Sequence, residues 1–256
     1  MTTAIYKRPQ VRRRGRHLSL EFTPGEVQSQ MDPADPYGLV LAYARAMMCF
    51  VLFKPRPQHI VMVGLGGGSL AKFCYRYLPH SRITVLELRE DVIALRERFA
   101  IPADDERFRV IHADAVRYMP QLRDSADVLL VDGFDEGGLP PALTSARFYA
   151  DCRRALRPDG VLVANVFSYD PNYRAMLARL RDCFQERICQ FAGIAGNNRI
   201  VFAIRPGRVP GAPASRMQRR IAAWGGYGPG LGFALANRLL ANWTVARLRR
   251  AAGEYC

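Results

Sequence analysis

The sequence predicts a doubly wound α/β domain built on a mostly parallel sheet, with a small N-terminal β-hairpin and a C-terminal helical extension. Three observations carry this. Short apolar runs alternate with helical patterns along the middle of the chain. The run Ile60-Val61-Met62-Val63 stops at Gly64-Leu65-Gly66-Gly67-Gly68, and a helical pattern follows. Acidic residues stand at the ends of three later runs: Glu87, Asp114 and Asp132. In such sheets ligands bind outside the carboxyl ends of the strands.

Residues 1–17 are expected to be loosely attached. Leu18 to Phe22 alternates, Pro24-Gly25 turns, and Val27-Gln28-Ser29 resumes, which predicts a strand pair. Asp32 to Pro36 is a loop, and Tyr37 to Phe53 reads as a helix closed by Pro55 and Pro57. The strand from Ile60 meets glycines 64, 66 and 68, which allow positive φ and close ligand approach. Unpaired amides at the start of the following helix, which runs to Tyr77, favour polar or anionic groups. Ile83 to Leu86 is the next strand, and Glu87 at its tip is placed to grip ribose hydroxyls. Helix, strand and short helix follow over Glu90–Phe99, Phe108–Ile111 and Arg117–Leu122.

Ala126 to Asp132 is a fourth strand. The loop Gly133 to Pro141, rich in glycine and proline, is placed to act as a lid. Thr144 to Leu156 reads as a helix, Pro158-Asp159-Gly160 as a turn, Val161 to Val166 as a strand and Tyr173 to Cys183 as a helix. Ile188–Phe191 and Arg199–Ile204 read as a closing antiparallel pair. Pro206 to Pro213 reads as a linker, Arg216 to Trp224 as a short helix, and Gly225 to Gly230 as a break. Phe233 to Arg250 is an amphipathic helix that can dock, dimerise or lie on a membrane surface; docking or dimerisation is expected. The organisation is thus a basic tail (1–20), a hairpin and entry helix (21–56), a catalytic domain (57–205) and a basic extension (206–256).

The net charge of +14 sits at the two ends. Residues 1–20 carry Lys7, Arg8, Arg12, Arg13, Arg14 and Arg16 with no acid. Residues 205–256 carry Arg205, Arg208, Arg216, Arg219, Arg220, Arg238, Arg247, Arg249 and Arg250 against Glu254, which leaves the middle neutral. Basic ends either contact an anionic surface or are simply solvated. The cysteines (49, 74, 152, 183, 189 and 256) form no C-x-x-C pair and read as incidental thiols of a reducing compartment. The four histidines lack metal-ligand spacing, so no metal is expected, and His112 reads as a loop residue. No apolar leader and no span long enough for a bilayer is present; residues 39–53 are too short. A cytoplasmic protein is expected.

Residues 22–205 resemble the spermidine synthase family of aminopropyltransferases, which share the Rossmann-like fold of class I S-adenosylmethionine-dependent methyltransferases. The resemblance is carried by Val63 to Gly68, Glu87, Asp114-Ala115 and Val131-Asp132-Gly133-Phe134-Asp135. It implies that Gln28, Gly64, Gly66, Gly68, Glu87, Asp114 and Ala115 hold decarboxylated S-adenosylmethionine or S-adenosylmethionine, bound as a co-substrate. It implies Asp132 as the catalytic acid–base residue, and Asp135 and Tyr43 as contacts of a small amine substrate. A homodimer is expected. Two departures stand out. Gly67 occupies the place of an aspartate that faces the aminopropyl amine and disfavours a carboxylate. Tyr43-Ala44-Arg45 stands where the family carries Tyr-His-Glu, so a cation replaces an acid.

The implied reaction is aminopropyl transfer from decarboxylated S-adenosylmethionine to an amine, an in-line displacement at a carbon bonded to a sulfonium. The amine must be neutral to attack, so it needs a base and alignment. Asp132 at a strand end supplies both; Asp135 fixes the far end of the acceptor. Asn165 either touches substrate or satisfies nearby backbone groups. Two alternatives stay open: an S-adenosylmethionine-dependent methyltransferase acting on a small amine or hydroxyl, and a non-catalytic nucleoside-binding protein with basic tails.

Overall fold

In a computed structural model of the chain, residues 7–135, 138–193, 196–207 and 231–253 are described. The elements, in order, begin with β1 (Gln10–Arg14), β2 (His17–Glu21), β3 (Val27–Met31) and α1 (Ala42–Met47). Then come β4 (His59–Val63), α2 (Ser69–Tyr77), β5 (Arg82–Glu87), α3 (Glu90–Ile93), β6 (Phe108–His112) and α4 (Ala115–Tyr118). The chain continues through β7 (Ala126–Val131), α5 (Ala146–Ala155), β8 (Leu156–Phe167), α6 (Tyr173–Phe184), β9 (Ile188–Phe191), β10 (Asn198–Ile204) and α7 (Leu231–Gly253).

The main sheet has the order β6-β5-β4-β7-β8-β10-β9. Strands β4 to β8 run parallel, and β10 is antiparallel to both β8 and β9. The predicted doubly wound sheet and its antiparallel edge are therefore present. Strands β4 and β7 are neighbours although β5 and β6 intervene in sequence, so the order reverses between them. That point opens a crevice at the carboxyl ends. Strands β4 and β7 are buried along their whole length, which explains their unbroken apolar runs. One face of the sheet packs Phe50, Phe73, Phe99 and Phe202; the other packs Phe148, Tyr149, Leu180 and Phe184.

Several expectations need correction. The segment before residue 18 is not loose throughout: β1 pairs with β2, Gln10 opposite Glu21, so the N-terminal unit is a three-stranded sheet. Glu21 ties it together, taking Arg14 Nε at 2.8 Å and the Gly25 amide at 2.9 Å. The helix expected over 37–53 starts only at Ala42 and tightens into a 3₁₀ turn at Met48–Leu52. Residues 39 and 40 stay irregular because the Arg45 guanidinium donates to both of their carbonyls at 2.7 Å. The helix expected over 90–99 breaks after Ile93 into a turn at Glu97–Phe99 that ends on Ala100, whose φ is 51°. The short helix starts at Ala115, two residues earlier than expected, because Asp114 caps it. Pro158-Asp159-Gly160 does not separate helix from strand. It lies inside β8 as an irregularity, Ala126 facing Leu156 while Val128 faces Val161.

Helix α7 docks on α1, its 3₁₀ extension and α2. Its buried face is Asn237, Ala241, Thr244, Val245 and Leu248, while Leu235, Leu239 and Trp243 are exposed. The apolar residues chosen from sequence thus point partly outward; small residues at 241 and 244 let the helix approach closely instead. Thr244 accepts from Cys49 Sγ at 3.9 Å, and Asn237 donates to the Ala192 carbonyl at 3.1 Å. The expected linker, short helix and break over 208–230, the side chain of Phe233, Gly137, Glu254 and Cys256 lie outside the described residues. Cys49, Cys74, Cys152, Cys183 and Cys189 are free. Among the described residues no helix is long and apolar enough to cross a membrane, and no cluster of His, Cys, Asp and Glu could hold a metal.

Candidate active site

The tips of β4 and β7 touch at Gly64. Its φ is 93°, and a Cβ there would stand 2.5 Å from the Asp132 carbonyl oxygen, so the turn accepts only glycine. Gly66 has φ 51° and faces Ser29, while Gly68, with φ 68°, is the N-cap of α2. The loop is held from β5. Glu87 takes the Leu65 amide at 2.8 Å on one carboxylate oxygen and the Arg89 amide at 2.9 Å on the other. Burial pushes the Glu87 pKa up, against these amide bonds, which pull it down. The Leu88 amide adds to that pull, and Glu87 stays on the cavity lining. Asp114 takes the Val116 amide at 2.8 Å as the cap of α4, and Arg117 stands 3.6 Å away.

These tips enclose a cavity of about 560 Å³. It is lined by Gly64, Gly66, Glu87, Asp114 and Ala115 together with Gln28, Tyr43, Asp132 and Asp135. Gly68 is not on the wall; it packs against Ile101 behind the loop. The wall also carries Ser29, Ser69, Phe134, Asn165, Phe167 and Asn198.

Asp132 opens on the cavity but lies deep in the protein. Tyr43 Oη donates to its Oδ2 at 3.1 Å, and Asn165 Nδ2 donates to its Oδ1 at 2.9 Å. Asn198 Nδ2 in turn donates to Asn165 Oδ1 at 2.8 Å. Burial raises the Asp132 pKa, and the two neutral donors hold it back. Tyr43 is pushed well up by burial and then by the neighbouring carboxylate, so it stays a phenol. Its hydroxyl also lies 3.3 Å from the Gln28 carbonyl, which links β3 to α1. In the Gly133–Pro141 loop, Asp135 and Gly138 bridge through backbone bonds of 2.9 and 3.2 Å. Phe134 and Phe167 lie 4.6 Å apart at ring centroids, and Tyr169 stacks on Phe167.

Two departures look different in three dimensions. Arg45 does not stand in for an acid in the cleft: its guanidinium is spent on the carbonyls of residues 39 and 40 and does not line the cavity. At Gly67 an added Cβ would meet Ser29 Oγ at 2.8 Å and Phe99 Cδ1 at 2.9 Å, so that position is walled off. The hydroxyls of Ser29 and Ser69, 3.2 Å apart, face the cavity beside it. His112 is exposed and bonds the Leu88 carbonyl at 3.0 Å. Sequence reasoning missed Asn198 and the serine pair. Asn165 carried a signal, being a lone amide inside an apolar strand; Asn198 carried none.

A family model for the spermine/spermidine synthase domain matches residues 40–186. The chain is 40% identical over 192 residues to a polyamine aminopropyltransferase of Chromobacterium violaceum, covering 75% of this chain and 74% of that one. A probable spermidine synthase from Corynebacterium glutamicum has a similar structure, with a TM-score of 0.68 and 20% identity over 77% of this chain and 76% of that one. A spermidine synthase in complex with the transition-state analogue AdoDATO gives a TM-score of 0.61 at 18% identity, over 88% of this chain and 81% of that one. The fold and the sequence match agree: the chain belongs to the spermine/spermidine synthase family.

Proposed function

We propose that the protein transfers an aminopropyl group from decarboxylated S-adenosylmethionine to the nitrogen of a small amine, with Asp132 as the base. The observation that carries this is the one cavity lined together by Glu87, Asp114 and the doubly held Asp132. The name and the extent of the Chromobacterium violaceum relative support the reaction class. Glu87 holds the ribose and Asp114-Ala115 the base of the nucleoside, with Gln28 closing from the N-terminal sheet. The sulfonium then lies between the glycine turn and Asp132. The amine lone pair attacks the carbon bonded to sulfur, the C–S bond breaks, and the electron pair stays on sulfur as a thioether. The proton shed by nitrogen goes to an Asp132 oxygen. Asp135 holds the acceptor's distant end, beside Phe134 and Phe167, whose ring faces favour a cation.

Asp132 must be ionised to accept that proton. Its pKa is raised, so turnover falls as pH drops through a value above the ordinary carboxylate range. Asp132→Asn is expected to cut the rate by about 10²–10⁴-fold while nucleoside binding persists. Unchanged turnover would remove Asp132 from the role of base.

A second reading is favoured by one observation. Position 67 is a glycine with the Ser29 hydroxyl beside it, so it brings no carboxylate of its own against that of ordinary S-adenosylmethionine. Methyl transfer to an amine or hydroxyl then fits the same cleft. Titration calorimetry with the two donors side by side separates the readings: aminopropyl transfer expects the decarboxylated form to bind at least as tightly. A clear preference for the ordinary form would favour methyl transfer.

A further inference from the structure

Asp132 is oriented by a chain of side chains that begins two strands away. Asn165 lies on β8 opposite Ile200 of β10, and Asn198 lies opposite Phe167. Residues 165 and 198 are therefore diagonal neighbours on one face of the antiparallel pair, close enough for their amides to meet. The bonds run Asn198 Nδ2 to Asn165 Oδ1 at 2.8 Å, then Asn165 Nδ2 to Asp132 Oδ1 at 2.9 Å.

The direction of both amides follows from chemistry. An ionised carboxylate only accepts, so Asn165 must turn its NH₂ to Asp132. Its carbonyl then faces β10 and needs a donor, which the Asn198 NH₂ supplies. A flipped Asn165 would set its carbonyl against the carboxylate and leave its NH₂ against that of Asn198. Tyr43 holds the other carboxylate oxygen from α1, so the plane of the group is fixed from two sides.

We propose that Asn198 is a positioning residue for the transfer reaction: through Asn165 it fixes the carboxylate plane of Asp132 and keeps that group ionised. This rests on the assignment of Asp132 as base. The β10 strand, antiparallel in an otherwise parallel sheet, thereby reaches the reacting centre without touching it. Besides Asp132, the titratable and charged groups lining the same cavity among the described residues are Tyr43 on α1, Glu87 at the end of β5, Arg89 beyond it, Asp114 before α4 and Asp135 in the loop after β7. Tyr43 bonds Asp132, Glu87 takes the Leu65 and Arg89 amides, and Asp114 takes the Val116 amide, so the relay can be altered with these bonds in place.

The test is the pH profile of the single-turnover rate in Asn198→Ala, Asn165→Ala and the double variant. Both single variants are expected to move the acid limb toward higher pH, Asn165→Ala by about one unit because it removes a bond to a charged group. Asn198→Ala should move it less, lower the rate about ten-fold, and leave donor KM within about two-fold. The double variant should match Asn165→Ala alone, because Asn198 acts through Asn165. A limb that stays in place in Asn198→Ala, or shifts that add in the double variant, overturns the relay. Asn198→Leu, which keeps the volume of the wall, repeats the measurement if the alanine variant does not fold. The base assignment is read separately: an active Asp132→Asn removes the base and the relay together. An inactive Asp132→Asn beside an unmoved limb in Asn198→Ala removes the relay alone.

Discussion

At Asp132 a carboxylate is kept in a place where burial raises its pKa, and two neutral donors oppose that rise without supplying a counter-charge. A cation there would leave it too weak a base; water would spread its proton affinity over solvent. The arrangement costs stability. A group whose folded pKa exceeds its unfolded value opposes folding once pH rises through the window between the two. Asp132→Asn is therefore expected to raise Tm at pH 7, by about 2–4 °C for each kcal/mol recovered. The gain should vanish at pH low enough to protonate the aspartate in both states; differential scanning calorimetry at several pH values reads it. Gly64 is the converse case. Its positive φ and the 2.5 Å approach of the Asp132 carbonyl leave no room for a methyl group. Gly64→Ala is expected to weaken both folding and nucleoside binding, as read by thermal melting and calorimetry.

Among the elements, those built on glycine turns and continuous apolar strands were legible from sequence, because burial on both faces of a parallel sheet leaves no polar alternation to confuse them. The strand read from Ile60, which begins at His59, the glycine turn after it and the next strand ending at Glu87 lie where the sequence puts them. The entry helix was not legible: Arg45 satisfies the carbonyls of residues 39 and 40 from within the following turn, and a pattern of apolar spacing does not record where a side chain caps a loop. Strand β1 was hidden because Arg12 to Arg14 read as a charged tail, while its pairing depends on the buried Glu21 across the ladder. The join of β4 with β7 shows a further device. Asp127 takes the amides of Gln58 at 2.7 Å and His59 at 3.1 Å and pairs with Arg157 at 3.1 Å. Burial raises its pKa, but these bonds and Lys54 outweigh that and lower it. Its contribution is present at neutral pH and is lost as pH falls through the depressed value, below the ordinary carboxylate range. Asp127→Ala is expected to cost about 3 kcal/mol in chemical denaturation at pH 7, since two backbone donors and two cations lose their partner.

Over the whole molecule, the excess of positive charge at the two ends is partly answered within the fold. Arg14 meets Glu21 at 2.8 Å, Arg16 meets Asp32 at 3.1 Å, and Arg249 meets Asp35 at 2.9 Å. Composition alone could not show this, because the acids that answer these arginines lie outside the basic stretches. The last of these pairs joins α7 to the loop before α1, and α7 also packs on α1 and its 3₁₀ extension, with Val245 and Leu248 buried in the core. Val245→Asp places a charge in that seam and is expected to cost about 3 kcal/mol, with loss of the α7 contacts, measured by denaturation and by hydrogen exchange over residues 42–52.

The seam has a consequence for anyone handling the protein. Helix α7 lies beneath the segment that carries Tyr43, and Tyr43 is one of the two groups steadying Asp132. A protease cut, truncation or bulky fusion near residue 231 therefore works on the reaction centre from behind, as loosening a hinge plate shifts a latch on the other side of the door.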